Sequence, residues 1–209
     1  MGHSQAEKAK THEKILKLAA AQIREHGIDA LGVAELMKDA GLTHGGFYVH
    51  FPSRDVLIAE ALERALQSGP LANLGAGKSP SAFVRGYLSP EHRDGPASGC
   101  AISALSGEIR NSTPKTREIL TKHLKERFQI MTEKLGGTEG SREEALTAMS
   151  TMVGALTLAR AVDDEQLSDE ILRAARRTLI EAIEGEASKP RRRKRVDQVQ
   201  ADARQKRPG

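Results

Sequence analysis

Residues 33–51 read VAELMKDAGLTHGGFYVHF, and their pattern predicts two short helices joined by a tight turn. Apolar residues recur at helical spacing up to Gly41, a residue type that readily adopts the left-handed conformation in which helices end. Leu42 is expected to anchor the turn in a core, and the Thr43 hydroxyl to cap the second helix. That helix should end at Phe51, because the residue before a proline is disfavoured in helical conformation.

Two short helices, a glycine turn and a polar first turn on the second helix are typical of a helix-turn-helix DNA-binding motif. The Thr43 hydroxyl can bond a phosphate or contact a thymine methyl group, and His44 can donate to a guanine or face solvent. Gly45 and Gly46 let the backbone approach DNA closely. Each costs about 1 kcal/mol of helix propensity, a cost that close approach to DNA would explain.

Charged side chains flank this second helix but are absent between Thr43 and Phe51. Base readout through side chains should therefore be sparse, with DNA shape contributing. Lys38 and Arg54 are candidate phosphate contacts. Phe47 and Phe51 are predicted to belong to the core.

The run AGLTHGGFYVHFPSRDVL, residues 40–57, resembles the recognition segment of the TetR/AcrR family of bacterial transcriptional regulators. The detailed resemblance covers residues 11–66, and the remainder is similar only in architecture. Residues 43–48 (THGGFY) and 99–101 (GCA) together resemble one subgroup of that family. The resemblance implies that Tyr48 and His50 contact DNA phosphates.

Composition favours an all-α protein, because aromatic residues make up 3% of the 209 residues and no Trp is present. No apolar run approaches the roughly 20 residues that span a bilayer, so no membrane association is expected. The N-terminus lacks the apolar core of a signal peptide, which predicts a cytoplasmic protein. The single Cys100 excludes an intramolecular disulfide.

The net charge of +4 is concentrated at the C-terminus. Residues 185–209 contain nine Lys or Arg and three acids, which leaves the first 184 residues with a net charge of −2. Low apolar content predicts that residues 186–209 are disordered. This tail could bind DNA phosphates non-specifically or serve only to increase solubility.

Breaks in the helical pattern predict five parts: a flexible N-terminus (1–9), a helix-turn-helix domain (10–66), a hinge (67–80), a helical regulatory and dimerisation domain (81–185) and the basic tail (186–209). Within the regulatory domain, residues 89–99 are predicted to be a loop. The last two helices, about 141–161 and 168–183, resemble the pair through which the family dimerises. On their sequence alone, they could equally close the core of a monomer.

Cys100 follows a turn and lies near a predicted helix N-terminus, a position that lowers the pKa of a thiol. His92 and Arg93 could add positive charge beside it. One hypothesis is that Cys100 is a sensor of electrophiles or oxidants whose modification releases DNA. The alternative is a small, buried and inert side chain.

A small-molecule pocket is expected among the helices of residues 81–160. The helical spacing of its candidate lining residues is equally typical of ordinary core, and the sequence does not name the ligand. The candidates are Phe83, Tyr87, Ile102, Leu105, Phe128, Met131 and Met152.

The sequence therefore predicts an all-α, two-domain regulator that binds double-stranded operator DNA as a homodimer. Repression is the expected output, with release by an unidentified small-molecule effector or by modification of Cys100. A constitutive or architectural DNA-binding protein is the alternative. An enzyme is disfavoured, because the histidines lack metal-ligand spacing and no glycine-rich phosphate loop follows a strand, so no catalytic residue, metal or cofactor is predicted.

Overall fold

The computed structural model describes residues 5–188, and within that range it contains ten α-helices and no β-strand. The prediction of an all-α fold is confirmed. In chain order the helices are α1 (Gln5–His26), α2 (Val33–Asp39), α3 (Phe47–His50), α4 (Arg54–Ser68), α5 (Pro80–Tyr87), α6 (Pro90–Asp94), α7 (Ala101–Ile109), α8 (Pro114–Lys134), α9 (Glu139–Ala161) and α10 (Glu165–Ser188).

Helices α1 to α4 form the N-terminal unit, in which α1 packs along α4 with α2 and α3 at one end. Its core consists of fully buried aliphatic and aromatic side chains, so burial of apolar area holds the unit together. The largest of these are Ile15, Ile23, Leu36, Met37, Phe51, Leu57 and Leu62.

The turn of the helix-turn-helix forms as predicted around Gly41, whose φ of +76° lies in the left-handed region. Two backbone bonds close it: the Gly41 amide donates to the Lys38 carbonyl at 2.9 Å, and the Leu42 amide donates to the Met37 carbonyl at 2.8 Å. This pairing satisfies carbonyls at the end of α2 that would otherwise lack partners. Leu42 packs against the core, as expected.

The second helix of the motif differs from the prediction at its start. Residues His44–Gly46 form a 3₁₀ turn, and only Phe47–His50 are α-helical. The Thr43 hydroxyl accepts no capping bond from this segment, so the predicted cap is wrong. Two consecutive glycines disfavour a regular helix start, and short 3₁₀ turns are common at helix ends.

Helices α5 to α10 form the rest of the described fold, in which α9 packs between α8 and α10. Residues 89–99 are not simply a loop, because they contain α6 and a 3₁₀ turn at Pro96–Ser98. Ser89 caps α6 by accepting a bond from the His92 amide at 3.3 Å, and a proline stands in the first turn of each element, where its missing N–H costs nothing.

Both ends of the described chain are more helical than expected. Helix α1 begins at Gln5, so residues 5–9 are helical. Helix α10 begins at Glu165, where the Asp164 carboxylate caps it by accepting from the Leu167 amide at 3.0 Å. Ser168, the expected start, is buried inside the helix and donates to the Ala159 carbonyl at 2.7 Å. It continues to Ser188, three residues into the predicted tail, and the rest of that tail lies outside the described residues.

Candidate nucleic-acid interface

The segment 43–50 turns a polar and partly apolar surface to solvent while its two phenylalanines are buried. Phe47 and Phe51 are four residues apart, so they lie on the same face of the helix and anchor it in the core, as predicted. Tyr48 is 69% exposed, and Thr43, His44 and Gly45 are also exposed. The structure therefore exposes four of the eight predicted contact residues on this one segment.

Val49 belongs to this surface and was missed by the sequence analysis. Its side chain is 59% exposed beside Tyr48, which leaves two large, partly apolar side chains adjacent in water. Adjacent exposed apolar groups often mark a site of interaction. The signal was available in the sequence, because a helical residue two positions from both Phe47 and Phe51 lies on the side opposite to them.

The two glycines of the segment differ in their surroundings. A Cβ added to Gly46 would lie 3.6 Å from Met37 Cε, an ordinary packing contact. A Cβ added to Gly45 would have no neighbouring atom within 4 Å. Nothing inside the described chain requires glycine at position 45, so any close approach that needs it must come from outside.

His50 lies at the edge of this surface, half-buried against α1. Its Nδ1 atom is buried and has no hydrogen-bond partner within the described part of the chain. Burial lowers the pKa of His50, and His12 and Lys8 lower it further. The imidazole is therefore neutral near pH 7 and would approach a phosphate as a neutral hydrogen-bond donor.

Arg54 differs from the prediction. Its guanidinium points into the turn between α1 and α2, where Nη2 donates to the Ile28 carbonyl at 2.7 Å and to the Leu31 carbonyl at 3.4 Å. These bonds occupy the group that was expected to contact phosphate. Lys38, by contrast, is exposed in the last turn of α2 and stays a candidate contact.

Replacing Arg54 with alanine is expected to lower the free energy of unfolding by about 1–3 kcal/mol, because carbonyls bonded to a charged donor lose their partner. Urea unfolding measures this change. The matched control is Lys38→Ala, which removes an exposed cation and should shift stability by less than about 0.5 kcal/mol. Equal stabilities for the two variants would contradict a structural role for Arg54.

Cys100 lies at the N-cap of α7 but is only 2% exposed. Burial raises the pKa of its thiol, which overturns the expected lowering by the helix N-terminus. His92 is close to it, but as an acceptor: its Nε2 receives the Cys100 amide at 3.0 Å, while Nδ1 lies 2.6 Å from the Tyr87 carbonyl. Arg93 instead pairs with Asp94 and Asp169.

The seven candidate pocket residues are core. All except Phe128 are buried, and Phe128 packs against the same cluster. A cavity of about 820 Å³ lies elsewhere, between the C-terminal end of α1, α7 and the junction of α9 with α10, and none of the seven lines it. The helical apolar pattern was therefore correctly identified as core, and a small-molecule pocket at these residues stays a prediction.

Two further classes of feature, a membrane span and a metal site, are absent from the described residues. No helix there is both long and apolar enough to cross a bilayer. No group of three or more His, Cys, Asp or Glu side chains there is arranged to hold a metal ion.

Comparison with known proteins shows that the N-terminal segment is similar to bacterial regulatory proteins. Residues 15–61 match the model of bacterial regulatory proteins of the tetR family. Over 55 residues the chain is 38% identical to the uncharacterized HTH-type transcriptional regulator YvdT of Bacillus subtilis (strain 168), a match that covers 26% of this chain and 28% of that relative.

Solved structures share the fold over most of both chains. A TetR transcriptional regulator from Chloroflexus aurantiacus superposes with a TM-score of 0.71 at 23% identity, covering 86% of this chain and 96% of that one. The reduced form of E. coli NemR gives a TM-score of 0.67 at 21% identity, covering 81% and 95%. Residues 15–61 are therefore similar to the helix-turn-helix domain of the tetR family, within a chain that has the fold of TetR-family structures.

Proposed function

We propose that this protein is a cytoplasmic transcriptional regulator that binds operator DNA as a homodimer and represses until an effector releases it. The observation that carries the proposal is the surface around Tyr48 and Val49 on a tetR-family helix-turn-helix. The segment buries Phe47 and Phe51 but exposes Tyr48 and Val49. Bound DNA would cover the exposed pair and so explain the exposure.

In the proposed complex, α3 and the preceding 3₁₀ turn enter the major groove. Thr43 and His44 face base edges or phosphates, and the open position at Gly45 lets the backbone approach. Tyr48, His50 and Lys38 bond phosphates, which positions the protein without selecting sequence. Val49 and the ring of Tyr48 supply apolar contact, for which the thymine methyl group is the matching partner in the groove.

Dimerisation is proposed through α9 and α10, which carry three exposed leucines. Leu146 and Leu158 lie on α9, and Leu167 lies on α10. Between the first two, Gly154 stands in mid-helix with open space where a Cβ would be. A glycine there costs helix stability, and the close approach of a second copy's helix would offset that cost. Such a dimer would bind half-sites about 34–36 Å apart or farther.

Release by a small-molecule effector requires that the effector bind the DNA-free conformation more tightly than the DNA-bound one. Release by modification of Cys100 is the slower of the two proposed routes. The thiol is buried and protonated, so a reagent must wait for the Tyr87 and His92 contacts around it to open.

The test is selection of bound sequences from random DNA at physiological salt, followed by gel-shift titration of the best site. Tyr48→Phe removes one hydroxyl per subunit and is expected to weaken binding about tenfold for all sequences alike. His50→Ala should act the same way, with thermal melting as the control for folding. A changed sequence preference at unchanged affinity would contradict the phosphate assignment, and no enriched sequence would favour an architectural role.

The same titration after treatment with a thiol-alkylating reagent addresses Cys100. Binding that is lost on alkylation, and retained by treated Cys100→Ser protein, would support the thiol route. Binding that survives alkylation leaves the effector as the releasing signal.

A further inference from the structure

The turn between α1 and α2 is held from two sides by side chains of other helices. Glu108 of α7 accepts bonds at Oε2 from the Ile28 amide at 2.7 Å and from the Asp29 amide at 3.3 Å. The guanidinium of Arg54, on α4, donates to the Ile28 and Asp29 carbonyls of the same turn. Amides of this turn thus donate to one carboxylate, and its carbonyls accept from one guanidinium.

Of these two side chains, only Glu108 comes from outside the N-terminal unit. The approach is close: Gly27 has a φ of +90°, and a Cβ at that position would lie 2.7 Å from Glu108 Oε1. Any larger residue would be strained at this φ and would displace the Glu108 carboxylate. The carboxylate therefore reaches a turn that leads directly into α2 of the helix-turn-helix.

Arg24 supplies a second anchor one turn earlier in α1. Its Nε donates to the Ala97 carbonyl at 2.6 Å, and its Nη1 donates to the Ala65 carbonyl at 3.1 Å and to Ser68 Oγ at 3.0 Å. Arg24 joins α1 to α4 and to the 3₁₀ turn before α7. With α1 anchored there, Glu108 is the contact through which α7 holds the turn where the chain leaves α1.

We propose that Glu108 is a positioning residue that orients the helix-turn-helix relative to the dimerisation helices and so selects the half-site spacing that the dimer accepts. The proposal rests on the proposed operator-binding function. Adding one base pair between half-sites moves one of them by about 3.4 Å and rotates it by about 35°. A turn held by a short, charge-assisted contact resists that change, whereas an unanchored turn adapts to it.

The test compares the wild type with Glu108→Ala and Glu108→Gln on operators whose half-sites are separated by one base pair more or fewer than the preferred spacing. The wild type should lose affinity sharply at the altered spacings. Glu108→Ala should bind about tenfold more weakly at the preferred spacing and show a flatter profile, with unchanged half-site sequence preference. Glu108→Gln keeps an acceptor oxygen and should be intermediate.

Glu25→Ala is the matched control, because it removes a carboxylate that lines the same cavity as Glu108 but does not bond the turn. It should keep the wild-type spacing profile. A parallel shift of affinity at every spacing in Glu108→Ala would overturn the proposal, since that is the result of a general loss of stability.

A second measurement is independent of DNA. Spin labels attached through Val49→Cys in a Cys100→Ala background report the distance between the two recognition segments of the dimer. Glu108→Ala should broaden that distance distribution, and Glu25→Ala should not. An unchanged distribution in Glu108→Ala would overturn the proposal even if specific DNA binding is found. A broadened distribution without specific DNA binding would contradict the proposed function and leave the positioning role intact.

Discussion

Replacing Leu158 with arginine is expected to produce monomers and to weaken operator binding by about 100-fold or more, because linked binding modules typically gain that much by avidity. Leu158 is 58% exposed on α9, and Gly154 one turn earlier leaves room for a partner helix. An arginine in the proposed interface would bury a charge that lacks a counter-ion. Sedimentation analysis measures the change from dimer to monomer, and gel-shift titration measures the loss of affinity for the operator.

Thr121→Arg on the exposed side of α8 is the matched control, since it adds the same charge away from α9 and α10. It should remain dimeric. If Leu158→Arg also sediments as a dimer with wild-type affinity, then this face is not the interface. The three exposed leucines would then need another explanation.

Acidification is expected to destabilise the protein through His123, which lies on α8 and lines a cavity between α8 and α4. Its Nε2 is buried and has no hydrogen-bond partner within the described residues. Burial and, to a lesser extent, the neighbouring charge of Arg127 lower the pKa of His123 to about 4, although Glu126 acts in the opposite direction. The folded protein therefore resists protonation at this site.

The pH range of this destabilisation follows from the pKa values of His123 in the folded and unfolded states. In the unfolded chain the imidazole binds a proton near pH 6.5, so the unfolded state holds more protons between pH 6.5 and 4. The contribution of neutral His123 to the free energy of unfolding is complete above pH 6.5, declines as the pH falls, and is lost below about pH 4. The total loss should be about 1–3 kcal/mol, the lower figure allowing for solvent screening of a partly exposed ring.

Urea unfolding of wild type and His123→Leu at pH 7.5, 6.0 and 5.0 and fixed protein concentration measures this loss. Other histidines with lowered pKa values, His50 and His92, titrate in both proteins, so the difference between the two curves isolates His123. The variant should lose less stability on acidification than the wild type does. Parallel curves for wild type and His123→Leu would contradict the assignment.

The helix-turn-helix could be predicted from local sequence because its determinants are local. The left-handed conformation of Gly41 and the four-residue spacing of Phe47 and Phe51 depend on neighbouring residues alone. The extent of the helices was less predictable: Gln5 to Ala9 and residues after Ile183 are helical although they are polar. The domain boundaries, the dimer and the individual DNA contacts stay predictions.

The sequence by itself determined the all-α class, the turn at Gly41 and the segment that faces solvent around Tyr48. Only the tertiary structure decided the burial of Cys100 and the bonds that Arg54 and Glu108 make. The position of Cys100 at a helix start argues for a reactive thiolate, but burial outweighs it. The bonds of Arg54 and Glu108 join residues 26 and 80 positions apart, and a polar side chain carries no local mark of the distant backbone group it will bond.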